Sequence, residues 1–595
     1  MTAPDPDLAR RRVLRSLGAA ALLPRAGLAG AAAAREYVRP DSPLWPAADA
    51  WNALRSQVGD ALVRVRSPWD ACRADPSGAA CARLFQSMKN PYFLGDDVAL
   101  TQTLGWAGAW TSSPSVYAIA ARSAADVAAA ADFARRHRVR LAVKGGGHSY
   151  QGTSNAADSL LVWTRRMNAA QLHEVFVPAG CGSMTPVRAA SFGAGAIWSH
   201  AYDAVTTRAG GYVQGGGCMT VGVAGLVQSG GFGSFSKRYG LAAGSLLEAE
   251  VVTADGAVRI ANACTHPDLF WALKGGGGGT FGIVTRLTLR VHELPTTFGA
   301  VNFTVRAKSD AAYRRLIALA LDHYAGRLMN PQWGEQMRFR PGNALAVSMV
   351  FQGMERGDAA DAWQPFFDAV DAVGDDLAID FAPLKIVATD ARTFWSPTLV
   401  KRTLGFIKRD ERDGAPETNV FWPGDQGQAG QFLHGYCSTW LPAALLQPGR
   451  RADLAAALFA ATRHWGVSLH FNKGLAGAPP EAIAAARDTA VNPAAIDAFA
   501  LAISGAEEQP AYPGIAGHEP DVRAARRSAA AIARSHGELR KLVTHVGSYL
   551  SESDYFERDW QQAFWGSNYG RLLAIKAKYD PEGLFAVHHG VGSIP

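Results

Sequence analysis

The side chains with the most chemistry to offer sit behind runs of glycine. Lys144-Gly145-Gly146-Gly147-His148-Ser149 places an imidazole after three consecutive glycines, and Gly215-Gly216-Gly217-Cys218-Met219-Thr220-Val221-Gly222-Val223-Ala224-Gly225 places a thiol after three more. A third stretch runs five glycines, 275–279, into Thr280-Phe281-Gly282-Ile283-Val284. Consecutive glycines bring backbone N–H groups against an anion with no Cβ in the way, which suits a pyrophosphate. The order is not that of a Walker loop, because Lys144 precedes the glycines, nor is it the Gly-x-Gly-x-x-Gly of a Rossmann turn. Taken alone, the first cluster is equally well a tight turn.

The surrounding elements decide where these loops lie. Ser123 and Asp126 form a capping box ahead of an alanine-rich helix over 127–137, and a short strand over 139–143 leads straight into the first loop. A buried strand is expected over 246–253, closing at the turn Ala254-Asp255-Gly256. From 296 onward the glycine clusters stop and the texture becomes ordinary helix and strand. Helices are expected over 311–324, 358–373 and 451–464, and strands over 344–351, 431–437 and 467–473. Residues two apart on a strand share a face, so His434 should point with Tyr436, and His470 with Asn472. Tyr436 and His470 are the candidates for a base that takes a proton from a substrate; an exposed polar strand face is the alternative.

Four ordered motifs carry a family resemblance. They are Gly146-Gly147-His148-Ser149, Cys218-Met219-Thr220-Val221-Gly222, Phe270-Trp271-Ala272-Leu273-Lys274 with the glycines after it, and Asn568-Tyr569 followed by Lys576-Ala577-Lys578-Tyr579-Asp580-Pro581. Together they resemble the berberine bridge enzyme-like branch of the vanillyl-alcohol oxidase flavoproteins. The resemblance implies an α+β fold: a two-part PCMH-type FAD-binding domain over 35–295, and a substrate domain over 296–545 made of an antiparallel sheet covered by helices. A C-terminal segment over 546–595 would return to the first domain.

The same resemblance implies covalent FAD, with His148 joined to the flavin 8α-methyl carbon and Cys218 to ring carbon C6. A neutral imidazole and a thiolate are nucleophilic enough near pH 7 to add to an electrophilic isoalloxazine. Noncovalent contact by His148 and simple burial of Cys218 are the alternatives. The flavin would further be held by the first loop from Lys144 to Ser149, by Gly217, Thr220, Val221, Gly222 and Gly225, by Gly282, Ile283 and Val284, and by Asn568 at the ring's polar edge. Lys144, Met219 and Leu226 depart from the family pattern; Leu226 stands where many relatives carry a histidine near the ribityl chain. Val221, a short side chain three after the cysteine, is associated in the family with oxidases. The expected activity is therefore hydride transfer from a small-molecule alcohol, sugar or similar substrate to FAD, then to dioxygen, giving hydrogen peroxide. A dehydrogenase of the same fold that feeds a quinone or carrier protein, and a flavin-binding protein without turnover, stay open.

Composition bounds the rest. The 595 residues, 48% hydrophobic and 19% charged, can fill the cores of two or three folding units. A formal charge of +7 falls to +4 once the first 34 residues, with five Arg and two Asp, are set aside. That is too little and too scattered for a nucleic-acid partner. No run of 18 apolar residues lies beyond the N-terminus, so no membrane span is expected. Arg10-Arg11-Arg12-Val13-Leu14-Arg15, an apolar run and an alanine-rich stretch ending at Ala34 resemble a twin-arginine export signal, implying a bacterial periplasmic or secreted holoprotein. In an oxidising compartment Cys72 and Cys81 are spaced to close a short disulfide loop. No metal site is expected: the cysteine spacing has no second pair, and His588 and His589 are adjacent with no carboxylate cluster nearby. Nothing in the sequence indicates oligomeric state.

Overall fold

The computed structural model describes residues 36–398, 407–543 and 546–593. The expected export segment, 1–34, lies outside the described residues. In the first domain the capping box forms as the sequence dictates. Ser123 Oγ accepts from the Asp126 N–H, the Asp126 carboxylate accepts from the Ser123 N–H, and the helix Ala124–His137 follows. Arg138, at φ 52, ends it, and the chain turns into the strand Arg140–Lys144. That strand pairs in parallel with Ser159–Trp163, whose apolar run is buried throughout, and Ser159–Trp163 pairs in parallel with Tyr117–Ala120. A continuous apolar run is what a strand covered on both faces requires. Leu62–Arg64 completes this four-stranded sheet on its far edge.

A five-stranded antiparallel sheet follows, in the order Val258–Asn262, Leu246–Val252, Ile283–Arg290, Val187–Gly193, Ala170–Phe176. Gly256, at φ 79, makes the hairpin turn expected at 254–256. Helix Ala124–His137 lies between the two sheets, packing Val127, Ala130, Ala131 and Ala134 with Leu160 and Val162 of one and Val252 and Ile283 of the other.

The second domain is a nine-stranded sheet ordered Leu377–Asp390, Thr297–Ala307, Ala344–Gln352, Trp333–Arg340, Val467–His470, Ala498–Glu508, Gln431–Pro442, Thr103–Trp106, Trp110–Thr111. The first seven are antiparallel, and Thr103–Trp106 joins in parallel from the N-terminal part of the chain. Helices Asp310–His323, Arg356–Asp371 and Pro448–Thr462 cover one face over a core that includes Phe303, Leu316, Trp363, Leu458 and Leu469. The α+β expectation, with helices on one face of an antiparallel sheet, is met. Strand alternation leaves the other face polar: Met337 and Phe339 pack toward the helices while Gln336 and Arg338 face the opposite way, into the cavity described below.

One facing expectation and one strand boundary change, while His470 and Asn472 both line the cavity as expected. The pairing of Gln431–Pro442 with Ala498–Glu508 slips between Leu433 and Gly435, so His434 sits on a bulge and does not share the Tyr436 face; its Nε2 lies 3.1 Å from Glu508 Oε1. The strand expected over 467–473 ends at His470, where Lys473 N–H turns back to the His470 carbonyl. Cys72 and Cys81 are disulfide-bonded, and so are Cys181 and Cys264, a pairing their separation of 83 residues hides.

Candidate active site

A cavity of about 1200 Å³ lies between the glycine loops of the first domain and the polar face of the nine-stranded sheet. On the first wall two loops meet backbone to backbone. A Cβ on Gly146 would lie 2.5 Å from Gly222 N and 2.8 Å from Thr220 O, distances no side chain permits. Glycine is therefore required at Gly146 by close approach, and this contact sets His148 beside the Thr220–Gly222 turn. His148 Nε2 is 2.9 Å from Thr220 Oγ1. Burial lowers the imidazole pKa to about 3, so the ring is neutral and keeps a lone pair.

Cys218 lines the same wall and is a free thiol. Burial and the neighbouring Asp425 carboxylate both push its pKa well above the ordinary value. Trp422 and Asp425 hold its loop: Trp422 Nε1 donates to the Gly217 carbonyl at 3.0 Å, and the Met219 N–H donates to Asp425 Oδ2 at 3.1 Å. Burial raises Asp425 to about 6.

Most residues expected to hold the cofactor line this cavity: Gly145, Gly146, Gly147, His148, Ser149, Gly217, Cys218, Val221, Gly222, Gly225, Gly282, Ile283 and Val284. Three do not. Thr220 acts through His148. Lys144 turns away: its ammonium donates to the carbonyls of Asp97, Val98 and Leu100 at 2.7–3.1 Å, a buried cage that fixes that loop, so it is not a phosphate contact. Asn568 is not among the lining residues, and its amide donates to the Val491 carbonyl at 2.9 Å. Leu226 does line the cavity, and its methyls pack against Gly216 and Gly231.

The facing wall carries Tyr436, His470, Asn472, Arg338 and Glu335, with Tyr150 beside them from the His148 loop. The rings of Tyr150 and Tyr436 are 5.4 Å apart. Burial raises the Tyr436 phenol well above 10, which disfavours the tyrosinate a base there would need. His470 is driven well below 6.5 by burial, with Lys473 and Arg338 adding to it, so its ring is neutral and a proton held there is disfavoured.

Glu335 was not foreseen. It shares the strand parity of Trp333 and Met337, which are buried against the helices, yet its φ of 67 turns it into the cavity. Ser234 Oγ donates to its Oε1 at 2.5 Å, and burial raises its pKa. A left-handed glutamate within a strand costs energy and tends to persist where function needs it. No spacing pattern reports such a residue. Asp425 was equally invisible, because its contact with the Cys218 loop spans some 200 positions.

The chemistry of the cavity fits FAD. Glycine loops that a single Cβ would block form one side. Gln151 Oε1, Thr280 Oγ1, Asn472 Oδ1 and His589 Nδ1, all on cavity-lining residues, are buried without a hydrogen-bond partner among the described residues, so the site offers polar atoms that only a ligand or solvent would satisfy.

Comparison with known proteins agrees. A family described as "FAD binding domain" matches residues 115–262, and one described as "Berberine and berberine like" matches 548–592. An FAD-linked oxidoreductase, cheF, of Chaetomium globosum is 30% identical over 477 residues, covering 79% of this chain and 69% of its own. The VAO-type flavoprotein oxidase VAO615 of Thermothelomyces thermophilus is 27% identical over 604 residues, covering 93% and 92%. Among solved structures, the VAO-type flavoprotein MtVAO615 of Myceliophthora thermophila aligns with a TM-score of 0.75 at 24% identity over 94% of this chain and 97% of its own. The glucooligosaccharide oxidase of Acremonium strictum, described with a 6-S-cysteinyl, 8α-N1-histidyl FAD, aligns with a TM-score of 0.60 at 21% identity, over 81% and 92%. The chain belongs to the berberine bridge enzyme-like branch of the vanillyl-alcohol oxidase flavoproteins and is an FAD-linked oxidoreductase.

The relatives include proteins of Thermothelomyces, Chaetomium, Trichophyton and Aspergillus, all fungi. This overturns the bacterial twin-arginine reading of residues 1–34 and points to a eukaryotic setting; the two disulfides fit an oxidising compartment there. Among the described residues no helix is long and apolar enough to cross a membrane.

Proposed function

We propose that the protein is an FAD-dependent oxidase that carries its flavin on His148 and Cys218, oxidises a hydroxyl-bearing carbon of a sugar, alcohol or similar small molecule, and uses dioxygen as acceptor, releasing hydrogen peroxide. The observation that carries this reading is the convergence of a neutral imidazole and a free thiol, from separate glycine loops, on one wall of a cavity whose other wall presents proton acceptors. We take residues 35–295 with 546–595 as the FAD half and 296–545 as the substrate half, the strand Thr103–Trp106 lending an edge to the second sheet.

When bound, FAD supplies an acceptor for a hydride and passes the electron pair to dioxygen. The chain does the rest. His148 Nδ1 and Cys218 Sγ would hold the ring at the 8α carbon and at C6, while the N–H groups of the glycine loops would hold the diphosphate. Losing a hydride from carbon requires the hydroxyl proton to leave as well, so a base must stand within hydrogen-bond reach. His470, neutral through burial, can take a hydrogen bond at a ring nitrogen but holds a proton poorly, while Glu335, on the neighbouring strand and with its pKa raised by burial, is the stronger acceptor. Tyr436, held as a phenol, orients the substrate oxygen by donating to or accepting from it. Val221 lines the cavity, and its short branched side chain would leave room for dioxygen beside the ring.

Two measurements test the reading. Intact mass of the denatured chain should show one covalent FAD in the native protein and in His148→Ala or Cys218→Ala alone, and bare polypeptide in the double variant. Stopped-flow reoxidation of the reduced protein by dioxygen should be fast, with peroxide released on a panel of sugars, aliphatic alcohols and phenolic alcohols. Very slow reoxidation would replace the oxidase with a dehydrogenase on the same fold.

A further inference from the structure

Cys218 is gripped from both sides by one short segment of the other half of the chain. Trp422 Nε1 bonds to the carbonyl before it, and Asp425 Oδ2 accepts the N–H after it. The same Asp425 oxygen accepts the Trp422 N–H at 3.3 Å, and the nearby carboxylate charge adds to burial in raising the Cys218 pKa. Asp425 is only 6% exposed, and among the described residues no cation forms an ion pair with it. A buried carboxylate without a cation is costly, and its two backbone donors would be satisfied as well by a neutral amide oxygen. The carboxylate lies in the first turn of the helix Pro423–Gln428 and binds the backbone N–H of the residue directly after Cys218, which places a buried charge beside the thiol's own loop.

We propose that Asp425 is the base that takes the thiol proton of Cys218 as the sulfur is joined to the flavin, so that the protein builds its own second tether; this rests on the two-tether reading above. The Sγ–H bond breaks and an O–H bond forms on Asp425. The sulfur's electron pair makes the bond to ring carbon C6, and the C6–H bond gives up its proton. Dioxygen, the acceptor of the proposed reaction, takes the electron pair left on the flavin together with the two protons released from sulfur and carbon and leaves as hydrogen peroxide, which returns Asp425 to its carboxylate form. Burial lifts Asp425 to about 6, closer to neutral pH than an ordinary carboxylate, which makes it a stronger base for a thiol. The segment also fixes geometry, because the bonds on either side of Cys218 leave the loop little freedom to swing the sulfur away.

The test is peptide mapping of the full-length flavoprotein after denaturation and alkylation with iodoacetamide, comparing native protein, Asp425→Asn and Asp425→Glu. In Asp425→Asn, linkage at Cys218 should slow by on the order of 100-fold, leaving most Cys218 in freshly expressed protein carbamidomethylated. The His148 peptide should still carry flavin, which also reports that the variant folds. Asp425→Glu, which keeps a carboxylate, should keep the linkage. Asp425→Ser serves the same end if the amide disturbs the loop. Equal linkage at Cys218 in Asp425→Asn, or in Asp425→Ser, and native protein would overturn the proposal. An unmodified Cys218 in the native protein would instead sink the two-tether reading, so the two failures are told apart by the native sample alone.

Discussion

Glu335 is held by Ser234 across the domain seam, and a Cβ built on Gly217 would lie 3.9 Å from its Oε1, so this carboxylate faces the loop that bears Cys218. If it accepts the substrate proton, it must be ionised to do so, and burial raises the pH at which it ionises. The rate of flavin reduction should then climb with pH through that raised pKa, and Glu335→Gln should flatten the climb and lower the rate on the order of 100-fold, read by stopped-flow bleaching. His470, already neutral, should add no inflection near 6.5. Lys144 makes the opposite case, a residue that matters for the fold and not for the ligand. Lys144→Met leaves three buried carbonyls without their donor and should cost about 1–3 kcal/mol in a denaturant titration, while flavin content stays near native because the ammonium does not reach the cavity.

Among elements, the glycine loops are where side-chain size decides the outcome. Gly146→Ala would press a methyl into the Gly222 backbone, and backbone cannot rotate aside as a flexible side chain can. The loops should separate, with a loss of about 1–3 kcal/mol in thermal melts and a matching fall in retained flavin. Gly357→Ala, in the helix Arg356–Asp371 away from the cavity and with nothing within 4 Å of the added carbon, serves as the control and should keep both. Much at this scale was readable in advance, because capping and alternation are local. The box at Ser123 and Asp126, the strand into the first loop and the hairpin at Gly256 follow from near neighbours. The bulge at His434 and the early end of the strand at His470 do not, since both depend on how a distant partner strand is registered.

For the whole molecule, buried histidines set the response to acid. His536 and His323 are 4% and 8% exposed, and His536 has neither ring nitrogen bonded to any described residue. Burial lowers their pKa values to about 3 and about 4, against 6.5 for an unburied ring. As pH falls below 6.5 the unfolded chain takes up protons that the folded one refuses. Stability, full above pH 6.5, is therefore lost as pH drops toward 4, with a slope of at most about 1.4 kcal/mol per pH unit for each ring. Melting temperature should fall between pH 7 and 4.5, and His536→Leu should fall less steeply; an identical slope would count against this account.

The sequence alone determined what local rules and residue chemistry can determine. It placed glycine where backbones must touch and set local helix and strand periods, while the α+β pair of domains and the histidine and cysteine expected to tether a flavin came from motifs that resemble a known family. Tertiary structure alone decided which charged groups meet those residues. Lys144 was drawn into a carbonyl cage, Asn568 was left out of the cavity lining, and Glu335 and Asp425 were brought to the cavity from strands and loops far along the chain. The physical reason is range: propensity and close backbone contact are written in neighbouring residues, whereas the charges facing a buried site depend on the packing of the whole chain.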